Sequence, residues 1–421
     1  MKAEIIAVGS ELLTPDRVDT NSLFLTAELN KLGIEVTRKG VVGDKREDIR
    51  DAFALSMARA DVVIASGGLG PTEDDLTREV AAELLGRKLE SNPDVLLAIQ
   101  ERFRRIGRQM AEVNARQAMV PEGATALENL KGTAPGLWME ADGRLLILLP
   151  GPPNELQAMF ARQVAERLAK RSGNVRQVTR ELRVVGMPES DLDQRISPIY
   201  TKYHDVQTTI LAAPGEIQIH LRAWTADAQG IAVVLDEMVE RISMALAENV
   251  YTTMGESLEE VVANALTLNA ATISTAESCT GGLLAERLTR TPGSSNYFLG
   301  GVVSYSNELK SAWVDVPAEI IESRGAVSPE VAVALADGIR RRTGSTLGVG
   351  ITGVAGPAGG TPEKPVGLVH IALANGSTPR ERGLHFPGDR ERVRWQASQT
   401  ALDMVRRYFL YGPGKRPGAK T

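Results

Sequence analysis

Between Thr275 and Gly282 the chain reads TAESCTGG, which sets three potential nucleophiles, Ser278, Cys279 and Thr280, directly before two glycines. A hydroxyl or thiol that attacks carbon must first lose its proton, and histidine is the usual base. The four histidines (His204, His220, His370 and His385) show no pairing with this stretch and no metal-ligand spacing. Lys310 and Tyr305, in SYSNELKSAW, supply an alternative, because a lysine of lowered pKa can take a serine proton. A second chemical cluster is GGLGPTEDDLT, with Gly67, Gly68 and Gly70 followed by Thr72, Glu73, Asp74, Asp75 and Thr77. Glycines let backbone approach a phosphate closely, and adjoining carboxylates can hold a magnesium-like ion against it. Each acid alone is also what a helix N-terminus attracts, and Ser278 or Thr280 alone could simply cap a helix.

These residues need elements to hold them. AEIIAV, IEVTRKGVV, DVVIAS and RLLILL read as strands, alternating with amphipathic helices capped near Asn21 and Asp44. The glycine-rich turn follows the third strand, and PGPPNE, with Gly151 and Glu155, follows the fourth. ATIST, GGVVSYS, LGVGIT and GLVHIALA repeat the pattern after residue 256, so Ser278, Tyr305 and the GVAGPAGG loop (Gly353, Gly356) all emerge at strand ends. The fold class expected is α/β, as two doubly wound domains with mostly parallel sheets, joined by a small α+β module. The boundaries are 1–171, 175–252 and 256–411, with 412–421 a glycine-, proline- and lysine-rich tail expected to be disordered. The N–H groups at the start of the helix after Ser278 are expected to serve an oxyanion or a phosphate. Of Arg390, Arg392 and Arg394 in FPGDRERVR, one is expected to reach the site and two to lie on the helix surface.

Composition narrows the class. Net charge is −5 and no basic, aromatic-rich stripe is present, which argues against nucleic acid as a partner. A single cysteine excludes an internal disulfide framework and suits a reducing, cytoplasmic setting. No apolar run is long enough for a membrane span, and the start of the chain reads as a strand rather than a signal peptide.

TAESCTGG, YSNELK, GAVS (Gly325–Ser328), ITGVAGPAGG and KPVG (Lys364–Gly367) resemble, in order, the nicotinamide-nucleotide amidase domain of the CinA family. That resemblance implies hydrolysis of nicotinamide mononucleotide to nicotinate mononucleotide and ammonia, without a cofactor. Ser278 is then the nucleophile, Lys310 its base and Tyr305 an assisting hydroxyl. Thr280, Gly281, Gly282, Gly353, Gly356 and Arg390 would hold the substrate. The first 171 residues resemble the molybdopterin-binding fold found at the N-terminus of the same family, through Gly67, Gly68, Gly70, Asp75 and Thr77. This implies a pyrophosphatase acting on ADP-ribose, with Asn21, Thr72 and Gly151 also in the substrate site. Glu73, Asp74 and Asp75 would hold a divalent ion such as magnesium. Pro15 stands where the family has a glycine after ELL, and it removes a backbone donor from that loop. The alternatives are an N-terminal module that binds a pterin or nucleotide and regulates its neighbour, and a competence or DNA-damage factor. A homodimer is expected.

Overall fold

In a computed structural model, which describes residues 1–412, the chain divides into two compact units. One comprises Met1–Val178 with Arg222–Val233, and the other Thr179–Leu221 with everything from Val234 on. Of the expected tail, 413–421 lies outside the described residues.

The first unit is built on a six-stranded sheet. Lys2–Val8 pairs in parallel with Glu35–Val42 and Val62–Ser66, and Val62–Ser66 with Arg144–Leu149. Successive residues of Val62–Ser66 face opposite sides, and both sides are covered. Ile64 packs with Leu25, Leu29 and Phe160, whereas Val63 and Ala65 pack with Ile49, Phe53 and Val80. Strands buried on both faces read as continuous apolar runs, which is why they were legible in the sequence. The caps fall elsewhere than expected. Asp19, not Asn21, caps Thr20–Lys31 by accepting from the Ser22 amide. Asp44 accepts from the Ser10 amide instead of capping the helix Arg46–Arg59.

In the second unit Ile273–Glu277 runs parallel between Phe298–Val303 and Leu347–Gly353. Helices Leu258–Leu268, Leu283–Thr289 and Arg390–Tyr411 cover one face, and Asn307–Val314, Ala318–Arg324 and Pro329–Thr343 the other. Two strands depart from the expected parallel pattern. Leu368–Ala374 pairs antiparallel with Leu347–Gly353, and Arg380–His385 antiparallel with Leu368–Ala374. The segment 354–367 between the first two contains no helix, and without a crossover the chain can only return antiparallel. Gly136–Ala141 joins Arg144–Leu149 in the same way, through a tight Asp142–Gly143 turn with both residues at positive φ.

The segment expected as a separate α+β module forms a four-stranded sheet, Gln207–Ala213, Glu216–Thr225, Arg176–Val184 and Val250–Thr252. Within the second unit its loop at Pro214 accepts a hydrogen bond from Trp395 Nε1 at 2.8 Å.

The parallel strands of the second unit touch their helix at backbone distance. A β-carbon on Gly350 would lie 2.3 Å from the Ala332 carbonyl oxygen and 2.5 Å from the Ala336 nitrogen. Gly350→Ala must therefore lift the helix Pro329–Thr343 off the sheet. It should lower stability by about 1–3 kcal/mol, the usual range for overpacking, measured as the shift of the urea midpoint. An unchanged midpoint would mean that the helix has slack.

Candidate functional site

Three parallel strands of the second unit end side by side, and each delivers part of one site. Ile273–Glu277 leads into Ser278, Phe298–Val303 into Ser304 and Tyr305, and Leu347–Gly353 ends at Gly353. Carboxyl ends of parallel strands are where such sheets place their ligands.

Ser278 is 9% exposed, and its Oγ makes no hydrogen bond among the described residues. Its amide is tied to the Ile351 carbonyl and its carbonyl to the Gly281 amide, so the backbone around it is fixed. Gly281 and Gly282 both take positive φ, +61° and +91°, which explains the glycine pair. Glu277, fully buried, turns its carboxylate onto the start of the next helix. It accepts from the amides of Gly282 (3.1 Å), Leu284 (3.1 Å) and Ala285 (2.8 Å). The expectation that these N–H groups serve a substrate anion is therefore corrected, because a protein carboxylate already occupies the helix N-terminus. What remains open is Thr280. Its Oγ1 is buried without a partner, and its amide has no acceptor among the described residues.

Lys310 is 1% exposed. Its Nζ donates to the carbonyls of Ser304 and Tyr305, each at 3.0 Å, and it forms no ion pair with any described residue. Burial pushes its pKa below the ordinary lysine value, with small opposing effects from Cys279 and Glu308. Cys279, next to Ser278, is buried in the apolar cluster that includes Leu284 and Ile351. Burial pushes its thiol up to about 12.

Tyr305 is exposed, and its hydroxyl accepts from Arg390 Nη2 at 3.1 Å, while Arg390 Nη1 donates to the Gly356 carbonyl at 2.9 Å. Arg390 thus ties together two predicted site loops. Arg394, expected on the helix surface, instead grips the Thr280 carbonyl through Nε (3.1 Å) and Nη2 (2.7 Å). Two of the three arginines reach the site, at i and i+4 of one helix, and that spacing was the available signal.

In the first unit, Gly67, Gly68, Gly70, Asn21, Gly151, Asp74 and Asp75 line a cleft of about 890 Å³ at the strand ends. Asn21 Nδ2 donates to the Gly151 carbonyl at 2.7 Å, and its Oδ1 is buried without a partner. Thr72, Glu73 and Thr77 are not on the cleft wall. Thr77 lies fully buried beneath Gly68, where a β-carbon would sit 2.1 Å from the threonine hydroxyl. Thr72 turns its amide (2.9 Å) and hydroxyl onto Asp75. The expected metal triad is not assembled. The Glu73 side chain is 99% exposed and lies 3.8 Å from Arg116, and Asp75 is engaged by Thr72. Asp74 is held below the ordinary carboxylate range, chiefly by a hydrogen bond from Thr72. Among the described residues no group of three His, Cys, Asp or Glu side chains is placed to hold a metal ion. The cleft does carry acids that the spacing did not single out, Glu11 and Asp44 beside Glu155, contributed by separate segments.

Comparisons with known proteins match most of the chain. Family models described as the CinA C-terminal domain, a probable molybdopterin binding domain and the CinA KH domain match residues 255–409, 4–170 and 179–252. A CinA-like protein of Koribacter versatilis is 51% identical over 97% of this chain and 100% of its own length, and one of Solibacter usitatus is 52% identical over 97% and 98%. A solved structure of the protein CinA from Thermoplasma acidophilum, described as of unknown function, is 34% identical. It covers 41% of this chain and 98% of its own, with a TM-score of 0.37. A CinA superfamily protein from Klebsiella pneumoniae is 31% identical over 37% of this chain and 100% of its own, with a TM-score of 0.36. No helix among the described residues is long and apolar enough to cross a membrane. With full-length relatives at half identity, the chain belongs to the CinA family of competence/damage-inducible proteins.

Proposed function

We propose that the C-terminal domain is an amidohydrolase that converts nicotinamide mononucleotide to nicotinate mononucleotide and ammonia. The observation that carries this is Lys310, a buried amine without an ion-pair partner, held on the Ser304 and Tyr305 carbonyls at the end of the strand paired with the one that leads into Ser278, whose hydroxyl is unbonded. In this reading Ser278 Oγ attacks the carboxamide carbon while its proton passes to the neutral Lys310 amine. The carbonyl oxygen gains negative charge, and the amide and hydroxyl of Thr280 are the donors available to it. Lys310 returns the proton to the departing nitrogen, ammonia leaves, and the nicotinoyl group remains as an ester on Ser278. Water, deprotonated by the same amine, then hydrolyses the ester, giving the carboxylate and restoring the serine. Arg390, with donors beyond the two it uses, would hold the phosphate.

The N-terminal cleft supports a nucleotide pyrophosphate ligand, ADP-ribose being the candidate. Its three predicted carboxylates do not form a metal set, so no hydrolytic step is assigned to an ion there. The binding-module alternative rests on that arrangement, and the pyrophosphatase reading rests on the family resemblance.

Ser278→Ala and Lys310→Met should each lower kcat for ammonia release by at least about a hundredfold, the scale of general-base catalysis, with the double variant little worse. Cys279→Ala should keep most activity, since a thiol titrating near 12 supplies almost no thiolate at neutral pH. A dead Cys279→Ala beside an active Ser278→Ala would transfer the attack to the thiol.

The pH dependence follows from the lowered Lys310 pKa. The reactive form is the neutral amine, so kcat should rise with pH through a midpoint below the ordinary lysine value. The folded state also binds fewer protons here than the unfolded chain, so this residue's contribution to stability grows with pH over the same window. Lys310→Arg, which stays charged, should be inactive at every pH. A kcat profile without a lysine-dependent step would exclude Lys310 as the base.

For the cleft, Asp75→Ala releases the Gly70–Thr72 turn and should weaken ADP-ribose binding by roughly tenfold or more, read by calorimetry, with ammonia release intact. ADP-ribose turnover that needs added magnesium and stops with chelator would favour the pyrophosphatase over the binding module.

A further inference from the structure

The middle module touches the last helix at its first turns, where Arg394 also holds the nucleophile loop. Trp395 Nε1 donates to the Pro214 carbonyl at 2.8 Å. Gly215, at φ +77°, approaches so closely that a β-carbon would lie 3.0 Å from Gln399 Cγ. Behind Trp395 stands Arg287, 1% exposed, with its guanidinium 4.2 Å from the centre of the indole ring. Arg287 sits on the short helix Leu283–Thr289 that follows the nucleophile loop. It is held by Glu259 (2.7 Å), by Ser398 (2.8 Å) and by the side-chain oxygen of Gln399. One face of one helix thus holds the loop 278–282 at its middle and the short helix that follows it. Arg394 takes its Thr280 carbonyl, and Arg287 locks the helix that leaves it. The module presses on Trp395 and Gln399, which belong to that same face.

We propose that the middle module is a positioning element of the amidase site, with Pro214–Gly215 setting the nucleophile loop through Trp395, Gln399, Arg287 and Arg394. This rests on the reading of Ser278 as nucleophile. Arg287 makes bonds to three side chains and one aromatic face, so the link is stiff where a flexible tether would transmit nothing. Trp395, Arg394 and Arg287 act through the loop and are positioning residues.

The test uses the full chain. Trp395→Phe keeps an aromatic face under Arg287 but loses the N–H that reaches Pro214, and Gly215→Ala pushes the module loop off Gln399. Each should lower kcat for ammonia release by about tenfold with KM unchanged, a small misplacement being enough for that. Each should also slow labelling of Ser278 by a serine-reactive fluorophosphonate and speed hydrogen exchange of the amides of 279–282. Combined with Arg394→Lys, the labelling losses should be less than multiplicative, because both variants break one chain of contacts. Unchanged labelling and exchange in a folded Trp395→Phe protein would overturn the proposal, and so would fully multiplicative effects. If the wild type releases no ammonia from nicotinamide mononucleotide, the substrate reading fails, and labelling and exchange still decide this one.

Discussion

An amine buried to 1% exposure without a carboxylate is the constraint around which the C-terminal site is arranged. Taking a charged group out of water costs several kcal/mol even after relaxation, so the protein either supplies a counter-charge or lets the group go neutral. Here no ion pair forms, and burial lowers the pKa of Lys310. The carbonyls of Ser304 and Tyr305 take the place of a counter-charge, each accepting from Nζ at 3.0 Å. Glu308 favours the charged form only in part, without forming an ion pair. Glu277, at the end of the strand that leads into Ser278, spends its carboxylate on three backbone amides.

That use of Glu277 explains why the loop can be glycine-rich and still be rigid. Two positive-φ glycines would leave the turn loose in the unfolded chain and costly to order. Hydrogen bonds to a charged carboxylate are worth about 1.5–3 kcal/mol each, and three of them bear on one turn. Substituting glutamine would leave a weaker acceptor and place two donors where only donors are present. The same carboxylate satisfies the helix dipole, so in the proposed reading a substrate anion would be met elsewhere, by side chains such as Arg390.

Much of this was legible in the sequence. Apolar runs ending in glycine marked the strands, and the loop that carries Ser278 was found because strand ends on such sheets carry chemistry. Glu277 was not found, because an acid whose partners are backbone amides leaves no spacing to read. Asp44 misled for the same reason, since a side chain that bonds the Ser10 amide looks in sequence like a cap for the helix beside it. The antiparallel strands were missed because direction is set by the connection, and a glycine-rich linker without helical periodicity was read only as a ligand loop. The three acids of GGLGPTEDDLT are adjacent in sequence, but their side chains are not brought together. Neighbours on a turn point apart, and Glu73 reaches Arg116 while Asp75 folds back on Thr72.

The sharpest contrast lies between two adjacent residues. Ser278 and Cys279 share a loop, a strand end and nearly the same distance from the helix N-terminus, and thiols are intrinsically the better nucleophiles. Their surroundings separate them. Cys279 packs into the cluster with Leu284 and Ile351, a medium that disfavours thiolate, and the nearby Glu277 charge adds to the penalty. Burial pushes the thiol up to about 12, so little of it is thiolate at neutral pH. Serine never needs to exist as a free alkoxide, because a base can take its proton as the new bond forms. A site with a buried lysine of lowered pKa therefore suits an alcohol in the proposed reading, and the cysteine beside it packs into the core.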